Sequence, residues 1–233
     1  MLRVCAVVSF VLLAACQSSK SVMPEGEGRG VLAADANPPA GASTWPQPEW
    51  RVGDRFVLQR GDLARATFVV AGRLPDCYVI DGGSGPGGIS LRRGLDLSNL
   101  GDFAGNGEPF HLLTPADVRY HWPLWVGKRW NCEFVDRALG GDAMRMEASY
   151  VVEALDTVTV PAGTFEALRI VRRVRFVGAG DRYLTRAQIV WYAPSVGSEV
   201  RQLIDDTLVE MVSFEKAPPA ENEPSAENEP AAR

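Results

Sequence analysis

Hydrophobic and polar residues alternate most cleanly between Met144 and Tyr192. Met144, Met146, Ala148, Tyr150, Val152 and Ala154 share one parity, and Arg145, Glu147, Ser149 and Glu153 take the other. Side chains alternate across a strand, so this stretch has one oily face and one wet face. Val160-Pro161-Ala162-Gly163-Thr164-Phe165 predicts a tight turn, with proline presetting φ and glycine accepting a positive one. The returning strand sets Leu168, Ile170, Val174 and Phe176 on the oily face and Arg169, Arg173 and Arg175 on the side of Glu147 and Glu153. Exposed cross-strand pairs of that kind add under ~1 kcal/mol each, so they set register more than stability. Gly178-Ala179-Gly180-Asp181 predicts the next turn, and residues 183–191 a third strand.

Arg172 breaks this alternation, because it shares parity with Leu168, Ile170, Val174 and Phe176. Three readings stay open at this point. A β-bulge flips the parity locally, or the guanidinium snorkels to water, or it sits in a cavity as a ligand contact for an anionic group.

The rest of the domain is also strand-like. Candidate strands lie at 56–60, 64–71, 77–80 and 89–92, with two more at 200–204 and 208–214. Gly82 to Gly88 predicts a hairpin loop: it lacks the Lys-Ser/Thr of a P-loop, and Ser84 lacks the final glycine of a nucleophile elbow. Residues 96–110 read as irregular. Thr114-Pro115-Ala116-Asp117 predicts a short helical turn, with Thr as N-cap and Pro at N1. Trp50-Arg51-Val52-Gly53-Asp54-Arg55-Phe56 is echoed by Leu124-Trp125-Val126-Gly127-Lys128-Arg129-Trp130. An internal duplication and chance both account for the echo. The pattern predicts a mainly β fold: a curved antiparallel sheet or open half-barrel with little helix, its two halves alike if the echo is a duplication.

The two ends differ from this domain. Arg3 followed by the apolar run 4–15 is too short to span a bilayer, and Leu13-Ala14-Ala15-Cys16 has the form of a bacterial lipobox. Residues 1–15 therefore read as a lipoprotein signal peptide and Cys16 as the lipidation site. Gln17, rather than Asp, follows Cys16, which implies the outer membrane, facing the periplasm. Two or three acyl chains anchor firmly, at ~0.8 kcal/mol per buried methylene. Residues 16–47, rich in Gly, Pro, Ala and Ser, read as a flexible tether, 48–216 as one β-rich domain, and 217–233 as a disordered acidic tail. The formal net charge is −5, and the tail carries much of it, so no basic face points to nucleic acid.

Chemistry-bearing residues are sparse. His111 and His121 are the only histidines; they lack the short spacing of a zinc pair and have no companions in sequence, so neither a metal nor a cofactor is expected. With Cys5 lost in the signal and Cys16 lipidated, Cys77 and Cys132 remain. An oxidising compartment favours a disulfide between them, although two separate buried thiols are the alternative.

The three motifs Leu124-Trp125-Val126-Gly127-Lys128-Arg129-Trp130, Val160-Pro161-Ala162-Gly163-Thr164-Phe165 and Trp191-Tyr192-Ala193-Pro194-Ser195-Val196-Gly197 together resemble a family of bacterial envelope proteins that includes the TapB-like proteins. The resemblance covers the second half of the domain. It implies a curved antiparallel sheet, similar in shape to the open barrels of lipoprotein carriers, and brings no catalytic residues. Two functions follow as expectations. One is a noncatalytic envelope lipoprotein binding an apolar ligand or an envelope protein. The other is a structural or assembly factor with a closed core, acting through loops and edges.

Overall fold

The computed structural model describes residues 28–82, 88–105, 107–177 and 188–218. The described strands are β1 (Gly30–Ala34), β2 (Arg55–Arg60), β3 (Ala66–Arg73), β4 (Cys77–Asp81), β5 (Ile89–Gly94), β6 (Asn99–Ala104), β7 (Pro109–Asp117), β8 (Arg129–Ala138), β9 (Ala143–Val160), β10 (Gly163–Phe176), β11 (Gln188–Ala193), β12 (Ser198–Ile204) and β13 (Thr207–Glu215). No helix occurs among the described residues.

The alternating stretch found in the sequence is the longest hairpin. β9 and β10 pair from Gly163↔Val160 to Phe176↔Met146, through the predicted Pro161–Ala162 turn. Every neighbouring pair is antiparallel, in the order β8-β7-β6-β5-β4-β3-β2-β13-β12-β11-β10-β9, and β8 also pairs with β9. The expected curved sheet thus closes into a ring of twelve strands. Closure removes the unpaired edge that a long open sheet would expose. The turns at 61–65, 139–142 and 205–206 lie at one end, the rim. The connections at 74–76, 118–128 and 194–197 lie at the other, the base.

The base is plugged by aromatic residues. Trp50, Tyr78, Tyr120, Trp122 and Tyr192 pack with ring centroids 5.3–5.6 Å apart in their contacting pairs. Each indole N–H there finds a carbonyl: Trp50 Nε1 donates to Gly197 O at 2.7 Å and Trp122 Nε1 to Asp96 O at 2.8 Å. Buried tryptophans of this kind supply apolar area while their polar edge stays satisfied.

The repeated glycine-arginine motif has the same geometry in both copies. Gly53 and Gly127 both have positive φ, +100° and +96°. Gly53 N donates to Val70 O and Val70 N to Asp54 O; Gly127 N donates to Val152 O and Val152 N to Lys128 O. Val52 and Val126 are exposed, while Asp54 and Lys128 are buried. In both copies a glycine-dependent turn launches a strand, β2 or β8, with an inward aromatic, Phe56 or Trp130.

Two expectations are corrected here. Part of the predicted tether is structure: β1 pairs with β8 from Gly30↔Glu133 to Ala34↔Trp130, and Trp45 bridges Leu124. Arg29 pairs with buried Glu133 at 2.8 Å, and the Asp35 carboxylate accepts from Arg129 N at 2.8 Å. The folded unit therefore begins by residue 28 rather than at 48, because the barrel wall supplies partners that local composition does not reveal. The helical turn at Thr114–Asp117 is the end of β7, with Pro115 following a cis peptide bond. Strand β6 likewise occupies part of the stretch read as irregular. The expected turn at 178–181, residues 183–187 of the third strand, most of the 82–88 loop with Ser84, the signal segment with Cys16, and nearly all of the acidic tail lie outside the described residues.

Candidate functional site

Inward-facing positions of the barrel are mostly apolar, and a belt of charge crosses them. Arg172 lies on β10 opposite Tyr150 of β9. A register shift does occur in this hairpin, but between Arg169 and Ile170, so it leaves Arg172 pointing inward. Its Nη2 donates to Asp117 Oδ2 at 2.7 Å and its Nε to the Tyr150 hydroxyl at 3.0 Å. The Tyr150 hydroxyl donates in turn to Asp117 Oδ1. Trp130 stacks on Tyr150 at 4.9 Å with an interplanar angle of 5°. Of the three readings of Arg172, the anionic-partner reading comes nearest, but the anion is the protein's own Asp117, only 2% exposed. Burial opposes the charge on Arg172, yet Tyr150 and Asp117 hold its pKa above the ordinary value. Burial raises the Tyr150 phenol, so it remains a neutral donor.

Cys132 belongs to the same cluster, with Sγ 3.8 Å from Asp117 Oδ1. Burial, followed by the neighbouring Asp117 charge, pushes its thiol up to about 12. The expected Cys77–Cys132 bridge is absent; both are separate buried thiols. The topology explains this. Cys77 is on β4 and Cys132 on β8, with β5, β6 and β7 between them. At ~4.8 Å per strand the wall separates them by on the order of 20 Å along the sheet, well past the ~7 Å Cα limit for a disulfide.

Histidine chemistry also differs from the sequence reading. His111 has companions after all: Nε2 lies 2.7 Å from Asp136 Oδ1 and Nδ1 3.3 Å from Asp102 Oδ2. Register brings the three together across β6, β7 and β8, on positions far apart in the chain. No group of three potential ligands positioned to hold a metal ion is present among the described residues. His121 is half-buried, and burial, with the Lys128 charge, lowers its pKa.

A cavity of about 240 Å³ lies between the aromatic base and the middle of the barrel. Trp50, Phe56, Leu58, Phe68, Ile80, Leu91 and Leu97 form its apolar wall; Arg93, Arg119, Tyr120, Ser198, Glu199 and Gln202 form its polar wall. Glu199 accepts from the Tyr120 hydroxyl at 2.5 Å and pairs with Arg119 at 3.3 Å. Leu97 has φ of +67°, an unusual conformation for a bulky side chain. It is held there by the Leu97 N to Gly94 O hydrogen bond and by the Asp96 carboxylate, which accepts from Ser98 N at 2.9 Å. The strained turn presses the Leu97 side chain into the cavity wall.

Sequence reasoning missed Arg93, Arg119, Glu199 and Asp117. Arg93 carries the signal that flagged Arg172: it shares parity with Ile89 and Leu91 on β5. The candidate strand stopped one residue short, at Arg92, and so hid it.

No protein-family model matches the chain, and no curated protein does. Among solved structures, the chain is similar to the hypothetical lipoprotein YmcC from Escherichia coli, with 11% identity, a TM-score of 0.45, and coverage of 73% of this chain and 90% of that one. It is similar to a candidate lipoprotein from Parabacteroides distasonis, with 13% identity, a TM-score of 0.38, and coverage of 73% and 97%. It is also similar to a candidate exported protein with a YmcC-like fold from Bacteroides fragilis, with 11% identity, a TM-score of 0.37, and coverage of 75% and 100%.

Proposed function

We propose that the protein is a noncatalytic bacterial envelope lipoprotein that binds an apolar ligand inside its barrel. The observation that carries this reading is the cavity of about 240 Å³, with half its wall apolar, inside a closed ring of strands. At ~30 Å³ per water-sized group it has room for roughly eight methylenes, and its open side lets the end of a longer chain extend beyond the wall. A factor working through strand edges is less well served, because ring closure leaves short free edges among the described strands, such as the outer side of β1 and the part of β9 beyond Val151. The lipobox and the motif resemblance to TapB-like envelope proteins support the location. Acylated Cys16 anchors the chain, and Gln17 assigns it to the outer membrane, facing the periplasm.

Both parts are testable. The intact mass of the mature protein is expected to include acyl chains on Cys16, with Cys16→Ser releasing the chain from membranes; an unmodified Cys16 would refute the anchor. For the cavity, decanol is expected to displace a fluorescent apolar probe saturably, and Leu58→Trp, which fills the cavity wall, to weaken probe binding about tenfold, a loss of ~1.4 kcal/mol. Absence of saturable binding in the wild-type protein, or unchanged binding in a folded Leu58→Trp variant, would overturn the cavity reading.

A further inference from the structure

Among the described residues, no anion contacts one cation of the cavity. Arg119 pairs with Glu199, and Arg172, deeper in the belt, pairs with Asp117. Arg93 lines the cavity and, among the described residues, donates only to neutral acceptors: its Nη1 reaches Asn99 Oδ1 at 2.5 Å and Arg92 O at 3.0 Å. Asp102, Glu199 and Asp117 lie near enough to favour its charge but make no contact with it. Burial and the like charge of Arg119 work against it and pull the guanidinium down to about 10. Among the described residues, the charges on the cavity wall are therefore Arg93, Arg119 and Glu199, two positive against one negative. Buried charges are normally paired, since an uncompensated one is costly.

Resting on the cavity reading above, we infer that the ligand is an amphiphile with a single anionic head, a carboxylate or phosphate, which Arg93 receives while the apolar tail lies along Phe56, Phe68 and Leu91. The geometry suits this division. Leu91 and Arg93 stand on the same face of β5, two residues apart, and the neighbouring strands β4, β3 and β2 carry Ile80, Phe68 and Phe56 on that face. Arginine offers a planar fork of donors that fits either oxyanion in a two-point contact. The head would supply the missing negative charge and offset the repulsion between Arg93 and Arg119.

The test uses the exported chain carrying Cys16→Ser, so that no detergent competes. Titration calorimetry compares decanoate, decyl phosphate, decanol, acetate and inorganic phosphate. Decanoate or decyl phosphate is expected to bind at least about tenfold more tightly than decanol, as a charge-assisted contact implies, with the stronger of the two identifying the head. Acetate and inorganic phosphate are expected to bind far more weakly than their decyl counterparts; equal binding would overturn the amphiphile. Arg93→Gln is expected to abolish the advantage over decanol, and Arg93→Lys to retain part of it. The Lys variant and circular dichroism guard against a folding defect in the Gln variant. Decanol binding as tightly as both decyl anions would overturn the anionic head and leave the apolar cavity standing. Failure of every decyl compound to bind would overturn the cavity reading itself, and this inference with it.

Discussion

Asp117→Ala is expected to cost about 3–5 kcal/mol of folding stability, the usual effect of removing one member of a buried ion pair. Asp117 is the acceptor on which the belt converges: Arg172, the Tyr150 hydroxyl and the Cys132 thiol all approach its two oxygens. Its loss leaves the Arg172 guanidinium inside the barrel with the Tyr150 hydroxyl as its remaining partner. Equilibrium urea unfolding measures the change. The double variant Asp117→Leu, Arg172→Met removes both charges together and is expected to recover most of the loss, because apolar replacement of a whole buried pair is often neutral or better. A cost below ~1 kcal/mol for Asp117→Ala would place the pair in the class of solvated surface bridges and refute its structural role.

A second large effect is expected at Gly101. Its φ is +137°, and a Cβ there would lie 2.2 Å from the carbonyl oxygen of His111 and 3.1 Å from Leu112 Cα. Both are backbone atoms of the paired strand β7, so neither swings aside as a side-chain tip does. Gly101→Ala must separate β6 from β7 and disturb the His111 bridge between Asp102 and Asp136. The loss is expected to be about 2–4 kcal/mol, or roughly 5–15 °C in the thermal midpoint of a domain this size. Gly140→Ala is the matched control. It also has positive φ, +72°, but nothing lies within 4 Å of its Cβ position, so its cost is expected near ~1 kcal/mol. Equal midpoints for the two variants would show that close approach at Gly101 is not the constraint.

Alternation along the chain made the long β9–β10 hairpin and its turn legible, because one-faced burial writes itself into every second residue. The same rule singled out Arg172 as the residue that breaks the pattern, with its inward placement among the readings left open. Its partner was not legible: Asp117 sits at the end of another strand, where Thr114-Pro115 imitates a helix start. Local capping chemistry favoured the helix, and pairing of β7 with β6 and β8 overrode it. β1 was hidden for a related reason. Gly30-Val31-Leu32-Ala33-Ala34 is weakly patterned, and its order comes from hydrogen bonds and the Glu133 pair supplied by β8. The cysteine argument failed because a compartment sets redox tendency and says nothing about distance around a barrel. Asp102 and Asp136 could be assigned to His111 only once register was known. The echoed glycine motif was the most informative non-periodic signal, since both copies build the same turn at equivalent starts of β2 and β8.

If Cys16 is acylated as proposed, the pairing of β1 with β8 shortens the protein's mooring. With Cys16 acylated, only twelve residue steps separate the lipid from Gly28, and even fully extended they span at most about 40 Å. β1 also runs from the rim side toward the base, antiparallel to β8, so the chain enters the folded unit from the rim direction. Such a line would be short and attached on one side, and would confine the barrel to a layer within about 40 Å of the bilayer surface. An amphiphile leaving that bilayer would have only this layer to cross, with little passage through bulk water.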